Sequence, residues 1–393
     1  MSRKRILFFD HTAKMSGGER SLLLILEKID KKKFHPFLVT PQTGEFTYEA
    51  ERLGIERYLV HIPSFVLKRK RSNTGLFFLV LSLVATIPAI ILLAIYAKKH
   101  RICIIYTNSQ KAHLIGLCAG MLSNIAVVWH FRDILSSSIA RQVVKGLGLI
   151  FTYRIIAISE AVASQFKRAG YLSKKVSVVY NSIDVEGFKR KCRESITNLK
   201  EEYELPEDAK IVASIGQIAR WKGQEYLIRA AHELTKRFDN AYFFIIGKRF
   251  FGGEDYEKEI KKLLYDLKLG QRVFFTGYRS DIPGIMSDID ILVHTPQEPE
   301  PFGRVLIEAM AAGTPVVAFD TGAAKEVLPD NMGMLVPAFD TKTLVKAISK
   351  LLKNDKLYQK TAQRAREYVK EKFDFPRLLR SIESVLRHET QDR

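Results

Sequence analysis

The densest run of chemically useful residues in this 393-residue chain reads Glu298-Pro-Glu-Pro-Phe-Gly-Arg-Val-Leu-Ile-Glu308 and continues to Val317. Glu300 precedes a Pro301-Phe302-Gly303 turn. Apolar residues at helical spacing from Arg304 onward then place Glu308 about a turn and a half inside a helix. Gly303 lets the backbone approach a ligand closely, and the N–H groups after it open a helix N-terminus that favours phosphate. Ionised carboxylates only accept hydrogen bonds, so Glu300 and Glu308 suit hydroxyl groups. The stretch fits a ligand that is anionic in its middle and rich in hydroxyls at both ends.

Such a ligand needs a crevice, and the rest of the chain supplies the elements for one. Short apolar runs alternate with helical spacing from the N-terminus: strand Ile6–Phe9, helix Glu19–Ile29, strand His35–Thr40, helix Glu45–Leu53 and strand Arg57–His61. Strands Ile102–Thr107, Ala126–His130, Ile155–Ile158 and Val176–Tyr180 follow, with a helix from Gln110 to about Met121. A charged stretch over Lys189–Lys210 interrupts the pattern, which restarts at Ile211–Ile215 and runs through Val316–Phe319 to helices at the C-terminus. Strands alternating with helices predict parallel sheets covered on both faces. The expectation is an α/β chain of two tandem Rossmann-like, doubly wound domains with an interdomain cleft and C-terminal helices. The domains span residues 1–190 and 191–375, and a helix over 376–393 packs back toward the N-terminal domain. Ligands of such sheets bind at the carboxyl ends of strands. Neither a GxGxxG nor a GxxxxGK[ST] motif is present, which removes the main support for a dehydrogenase or a P-loop enzyme.

A nucleotide sugar has the required ligand shape: ribose, diphosphate, hexose. The spacing of Glu300 and Glu308, with Phe302-Gly303 and Glu308-Ala309-Met310, resembles the Glu-x7-Glu signature of family 4 glycosyltransferases, retaining enzymes of the two-Rossmann (GT-B) fold. The similarity extends upstream through Phe275-Thr-Gly277, Asp281 and Ser287–Val293, and downstream through Gly313–Val317, Gly322 and Glu326-Val327. The resemblance implies that Glu308 accepts hydrogen bonds from the ribose and that Glu300 contacts the transferred sugar, with Phe302, Gly303 and Arg304 in the donor site. It also bears on Gly216-Gln-Ile-Ala-Arg-Trp-Lys-Gly223, where the family commonly has Gly-Arg-x-x-x-x-Lys-Gly. Lys222 matches the family cation that neutralises the donor diphosphate. Gln217 stands where the Arg is usual, and Arg220 is the nearest substitute. A nucleoside diphosphate leaving group needs fixed cations when no metal is bound.

In the N-terminal half, Ser16-Gly17-Gly18-Glu19 resembles the family's Gly-rich loop, with Gly17 and Gly18 against the diphosphate and acceptor. Trp129-His-Phe-Arg-Asp133 resembles its His-containing strand end, which makes His130 the contact to the donor sugar and the reacting centre. Arg132 and Asp133 orient His130 or touch the acceptor, and Asn108 and Ser109, after another strand, are acceptor contacts. Tyr180-Asn-Ser-Ile-Asp184 resembles the Asn-Gly-Ile-Asp segment before the hinge, with Ser182 in place of Gly. Asp288-x-Asp290 has the metal-binding pattern of the other large glycosyltransferase fold, but it leads into a buried strand and is read as structural. No metal and no other cofactor is expected beyond the nucleotide-sugar co-substrate.

Charge separates the two halves. Residues 1–190 hold 29 Lys and Arg against 12 Asp and Glu, and the remainder 33 against 31. No acidic residue lies between Glu56 and Asp133. Within that gap, Leu76–Ala97 is a run of 22 uncharged, mostly apolar residues, preceded by Lys68-Arg69-Lys70-Arg71 and followed by Lys98, Lys99 and Arg101. Basic flanks on both sides lack the asymmetry that orients a membrane span. The preferred reading is a helix or bent helical hairpin in the interface of an anionic leaflet, with a buried core helix and a true span as alternatives. Nucleic acid falls behind as a partner, and none is expected, because the cations flank an apolar block rather than interleave with aromatics. Three scattered cysteines fit a reducing compartment, and the N-terminus runs into a strand without signal-peptide features. The expected location is cytoplasmic, peripheral on the inner face of the plasma membrane, with a lipid-linked or glycan acceptor. A nucleotide-sugar epimerase or phosphorylase of the same fold, or a non-catalytic membrane-bound scaffold, remains an alternative. A scaffold would have little need for Glu300, Glu308 and Lys222 together.

Overall fold

Ile6-Leu7-Phe8-Phe9 runs without polar alternation, so neither face of the strand suits water, and all four side chains are fully buried. Runs of this kind form parallel sheets covered by helices on both sides. The computed structural model describes residues 3–68, 76–135, 139–249 and 254–387 and contains two such sheets. The first comprises β1 (Lys4–Phe9), β2 (Phe34–Thr40), β3 (Glu56–Leu59), β4 (Ile104–Thr107), β5 (Ala126–Phe131), β6 (Arg154–Ala157) and β7 (Val176–Val178). Its order is β3-β2-β1-β4-β5-β6-β7, with every pairing parallel. The second comprises β8 (Lys210–Ile215), β9 (Ala241–Ile246), β10 (Val273–Gly277), β11 (Ile291–His294), β12 (Val316–Phe319) and β13 (Met334–Val336). These are ordered β10-β9-β8-β11-β12-β13, again all parallel. In each sheet the strand order reverses beside the first strand, between β1 and β4 and between β8 and β11. Connections leave in opposite directions there, which opens a crevice at the carboxyl ends.

The chain divides into two compact units, residues 1–181 with 378–393, and residues 182–377. The sequence places the division at 190/191, but helix Val185–Glu194 packs on helices Ile282–Asp288 and Arg304–Ala312 of the second unit. Charge composition reports how wet a segment is, not which core it touches. The last helix, Phe375–Arg387, rejoins the first unit from Leu378 onward. There Glu383 accepts a hydrogen bond from the Asp30 N–H at 3.1 Å, and Lys4 donates to the Arg387 carbonyl at 2.7 Å.

The apolar block forms two helices, Leu76–Ala85 and Ile87–Lys99, with Pro88 in the first turn of the second, where a missing N–H costs no intrahelical bond. No helix of the described residues is long and apolar enough to cross a membrane. The second helix packs on helix Gln110–Ser123 and buries Ala89, Leu93 and Ala97 almost completely, while Ile87, Ile91, Leu92 and Ile95 stay 43–57% exposed. One face is therefore core and the other is an open apolar surface. The cations Arg69, Lys70 and Arg71 lie outside the described residues.

Candidate functional site

In the second unit the loops after β8 and β11, the two strands at the reversal, are laced together. The Gln297 N–H donates to the Trp221 carbonyl at 2.9 Å, and the Thr295 hydroxyl donates to the Gly223 carbonyl at 2.9 Å. This fixes Lys222 above Glu300, whose Oε2 accepts the Lys222 ammonium at 2.5 Å. His294, the last residue of β11, brings its Nε2 to 3.3 Å from the same oxygen. All three side chains are largely buried. Burial alone raises the Glu300 carboxyl, but the Lys222 charge and the approach of His294 outweigh it and hold the group well below the usual carboxylate range. Burial lowers His294, and the Lys222 charge adds to this against the pull of Glu300, so the ring is neutral at pH 7.

Two glycines make this geometry possible. Gly303 has φ +80° and caps helix Arg304–Ala312 without a side chain, leaving the first turn open to an anion. Gly322 has φ +59°, and a Cβ there would lie 2.2 Å from the Glu300 carbonyl, which accepts the Ala323 N–H at 2.8 Å. Glu308 sits inside the helix and accepts Arg304 Nε at 2.8 Å. Both side chains remain partly exposed, so a ligand hydroxyl can compete for the carboxylate. Phe302 is different: it is buried, with its ring edge-on to Phe373 at 5.6 Å, and it anchors the turn in the core. Gln217 offers its carbonyl to the Gln224 amide at 2.8 Å. Arg220 does not join Lys222; its guanidinium is exposed, bonded to Glu259 and set over the Tyr256 ring at 5.2 Å. Asp288 and Asp290 are committed to the fold: Asp288 accepts the Leu199 N–H at 2.5 Å, and Asp290 accepts the Ile211 N–H at 2.8 Å while pairing with Lys210 at 3.3 Å. Among the described residues no cluster of three or more His, Cys, Asp or Glu is placed to hold a metal.

In the first unit the candidates converge at the carboxyl edge of β1, β4 and β5. Asn108, directly after β4, donates to Asp10 Oδ2 at 2.8 Å and accepts Arg132 Nε at 2.7 Å. Arg132 spans four elements, reaching Asn181 Oδ1 at 2.8 Å, the Ser21 hydroxyl at 3.3 Å and His130 Nδ1 at 3.1 Å. Tyr106 on β4 reaches the same ring nitrogen at 2.5 Å. Ser109 stands at the N-terminus of helix Gln110–Ser123, and its hydroxyl bonds His11 Nδ1 at 2.7 Å. Asp133 faces elsewhere, accepting the Gln110 amide at 3.0 Å. Gly17 and Gly18 open helix Gly17–Lys28, and an added Cβ would meet nothing closer than 3.6 Å, so the surrounding chain leaves that space free. Asp10 is buried, which raises its carboxyl; bonds from His11, Asn108 and Thr12 and the charge of His11 more than reverse this. Glu19 goes up, through burial and then the Asp10 charge.

Sequence reasoning missed Asp10, His11, Tyr106, Asn181 and His294 as members of these clusters. Asp10 and His294 carry a signal: each is a polar residue at the end of an apolar run, Ile6–Phe9 and Ile291–Val293, at the reversal point. Tyr106 carries none, because a tyrosine inside an apolar strand reads as core.

The two parallel sheets, each with its crevice edge, are the Rossmann-like pair of the GT-B architecture, and comparison with known proteins supplies the family. The Glycosyltransferase Family 4 model matches residues 15–186, and the Glycosyl transferases group 1 model matches residues 195–368. The chain belongs to the family 4 glycosyltransferases. It is 27% identical over 295 residues to the N-acetyl-alpha-D-glucosaminyl L-malate synthase of Bacillus anthracis, spanning 74% of this chain and 72% of that one. It is 26% identical over 239 residues to the lipopolysaccharide core biosynthesis mannosyltransferase LpsB of Rhizobium meliloti, spanning 56% and 67%. The crystal structure of Anabaena HepE in complex with UDP and glucose superposes with a TM-score of 0.81 at 27% identity, covering 98% of this chain and 99% of that one.

Proposed function

We propose that the chain is a retaining hexosyltransferase that moves a sugar from a UDP- or GDP-linked donor to a glycan or lipid-linked acceptor, in the building of a bacterial cell-envelope polysaccharide. The observation that carries this reading is the buried Lys222–Glu300 pair beside an open helix N-terminus whose helix bears Glu308. HepE was crystallised with UDP, with UDP and glucose, and with UDP-glucose, and LpsB is a lipopolysaccharide core mannosyltransferase; both support the donor and the setting. In this reading Glu308 receives ribose hydroxyls, Glu300 receives hydroxyls of the transferred sugar, and His130 contacts that sugar. Lys222 and the first-turn N–H groups at Arg304 meet the charge that develops on the departing diphosphate. The acceptor hydroxyl attacks the anomeric carbon from the side the phosphate leaves, and a phosphate oxygen takes the hydroxyl proton. No resident metal is needed in this scheme, and Asp288 and Asp290 are already used by backbone N–H groups. The test is to supply UDP- and GDP-sugars in chelator-treated buffer, measure released nucleoside diphosphate and determine the anomeric configuration of the product. An inverted product, or turnover only after metal addition, refutes the corresponding part. An epimerised donor or phosphate-dependent sugar phosphate would place the chain in another activity class, and a chain that neither binds nor turns over any donor would be a scaffold.

The same reading places the first unit on an anionic membrane at the inner face of the plasma membrane. It rests on the exposed faces of helices Leu76–Ala85 and Ile87–Lys99 beside Lys98, Lys99 and Arg101. Deleting the block would remove Leu93 and Ala97 from the core, so Ile91→Glu with Ile95→Glu is the cleaner variant. Flotation with phosphatidylglycerol vesicles should fall strongly in this variant while its melting temperature holds; unchanged flotation rejects the surface.

A further inference from the structure

We infer that Tyr106 and Arg132 hold His130 as the neutral Nε2–H tautomer, so that its buried Nε2 is a fixed hydrogen-bond donor and not a general base. His130 Nδ1 lies 2.5 Å from the Tyr106 hydroxyl and 3.1 Å from an Arg132 terminal nitrogen. A guanidinium has no acceptor lone pair, so Nδ1 must be the acceptor in that contact. With Nδ1 accepting, the single proton of the neutral ring sits on Nε2. The Tyr106 hydroxyl, free to rotate, donates into the same lone-pair region.

Nε2 itself is buried and has no hydrogen-bond partner among the described residues. Buried polar groups are nearly always satisfied, so one left open needs an explanation, and a ligand atom with lone pairs is the chemical class that completes it. The groups around the ring keep it from taking a second proton. Burial acts first, followed by the charge of Arg132 and then by His113, which comes from helix Gln110–Ser123 and bonds Thr107. Tyr106, on β4, is itself raised by burial and stays a phenol. Asp10 is spent on Asn108 and His11, with the Asn108 amide between it and Arg132. Among the described residues no carboxylate bonds His130.

What the N–H donates to rests on the glycosyl-transfer reading: a hydroxyl of the transferred sugar or an oxygen of the departing phosphate. It cannot remove the acceptor's proton, which leaves that task to the phosphate. Tyr106 is then a positioning residue that acts through His130.

The test uses the full chain with ¹⁵N-labelled histidine, with His130 signals assigned by their loss in His130→Gln. Between pH 6 and 8 the ring should show Nε2 protonated and Nδ1 bare. Tyr106→Phe should keep the tautomer, since Arg132 still donates to Nδ1, but should shift the Nδ1 signal and lower kcat about tenfold with KM nearly unchanged. His130→Gln, whose amide can place an N–H near the Nε2 position, should retain roughly tenfold more turnover than His130→Ala. An Nδ1–H ring or an imidazolium at pH 7 overturns the assignment. So does a Gln variant as slow as Ala, or a Tyr106→Phe chain with unchanged ring signals. The ring signals need no turnover. A wild-type chain with the expected ring but no sugar transfer would therefore reject the proposed function and leave the tautomer standing.

Discussion

The two units present the same sheet edge and fill it with opposite electrostatics. In the second unit a buried carboxylate meets an ammonium directly, Glu300 against Lys222, and burial loses to charge pairing. In the first unit the half-buried guanidinium of Arg132 is linked to Asp10 through the Asn108 amide, and the ring beside it is kept neutral. The first arrangement suits stabilising charge that moves; the second suits holding uncharged groups in a fixed direction. A salt pair also makes one unit's stability depend on pH, whereas an amide-bridged chain depends on every member being present.

The largest effect is expected from Lys222→Met, which should lower kcat/KM by about 10²–10³-fold. It also leaves Glu300 buried without its cation, at about 3–5 kcal/mol near neutral pH. Because the wild-type carboxyl is depressed, its contribution is present above the ordinary carboxylate value and lost only as pH falls through the depressed one. In the variant burial instead raises the group. The deficit in thermal unfolding should therefore be full at pH 7 and shrink toward pH 4; a pH-independent deficit would deny the pair its role. Glu308→Ala should weaken donor binding by roughly 10²-fold, as expected when a buried ligand hydroxyl loses its acceptor. Its cost in stability should be within about 0.5 kcal/mol, since the Arg304 pair is an i,i+4 contact. Titration calorimetry with UDP and GDP checks it, and wild-type affinity for both removes Glu308 from the site.

Asn108→Ala probes the other unit. It strips one partner from Asp10 and one from Arg132, at about 1–3 kcal/mol for each group left short. Circular dichroism melting should show a loss of that order, and a melt within one degree of wild type would mean the bridge carries no load. Arg220→Ala should be the smallest effect, less than about twofold in donor KM. Its guanidinium is exposed and paired with Glu259, a contact class worth about 0–1 kcal/mol. A tenfold rise would show that Arg220 leaves Glu259 to serve the diphosphate after all.

Much of this was readable from residues in order. The spacing places a helix at Arg304–Ala312 and a strand at Val316–Phe319, and the structure agrees residue for residue. Gly303 and Gly313 flank the helix and Pro315 precedes the strand, and such residues punctuate the chain sharply. Strand β13 was not seen, because three residues carry no period. Helix Ile139–Phe151 was missed although its apolar spacing is amphipathic, with Gly146 and Gly148 inside it. Gly148 is needed where it is: a Cβ would come within 2.2 Å of the Trp129 ring. The motif groups Phe302 with the donor contacts by adjacency. Packing turned its ring into the core against Phe373, 71 positions away.

By itself the sequence determined the class of fold, the spacing of Glu300 and Glu308 about a short turn, and the basic apolar character of the first unit, while the family resemblance singled out Lys222. The first three follow from local order: periodicity, a short turn, the composition of one segment. Only the tertiary structure decided that His294 stands beside Glu300, that Arg220 turns away to Glu259, and that Tyr106 and Arg132 meet on one ring nitrogen of His130. Those contacts join residues on different strands and loops. Hydrogen-bond direction and burial, which set the charge state of each group, depend on distance in space and leave no trace in the spacing along the chain.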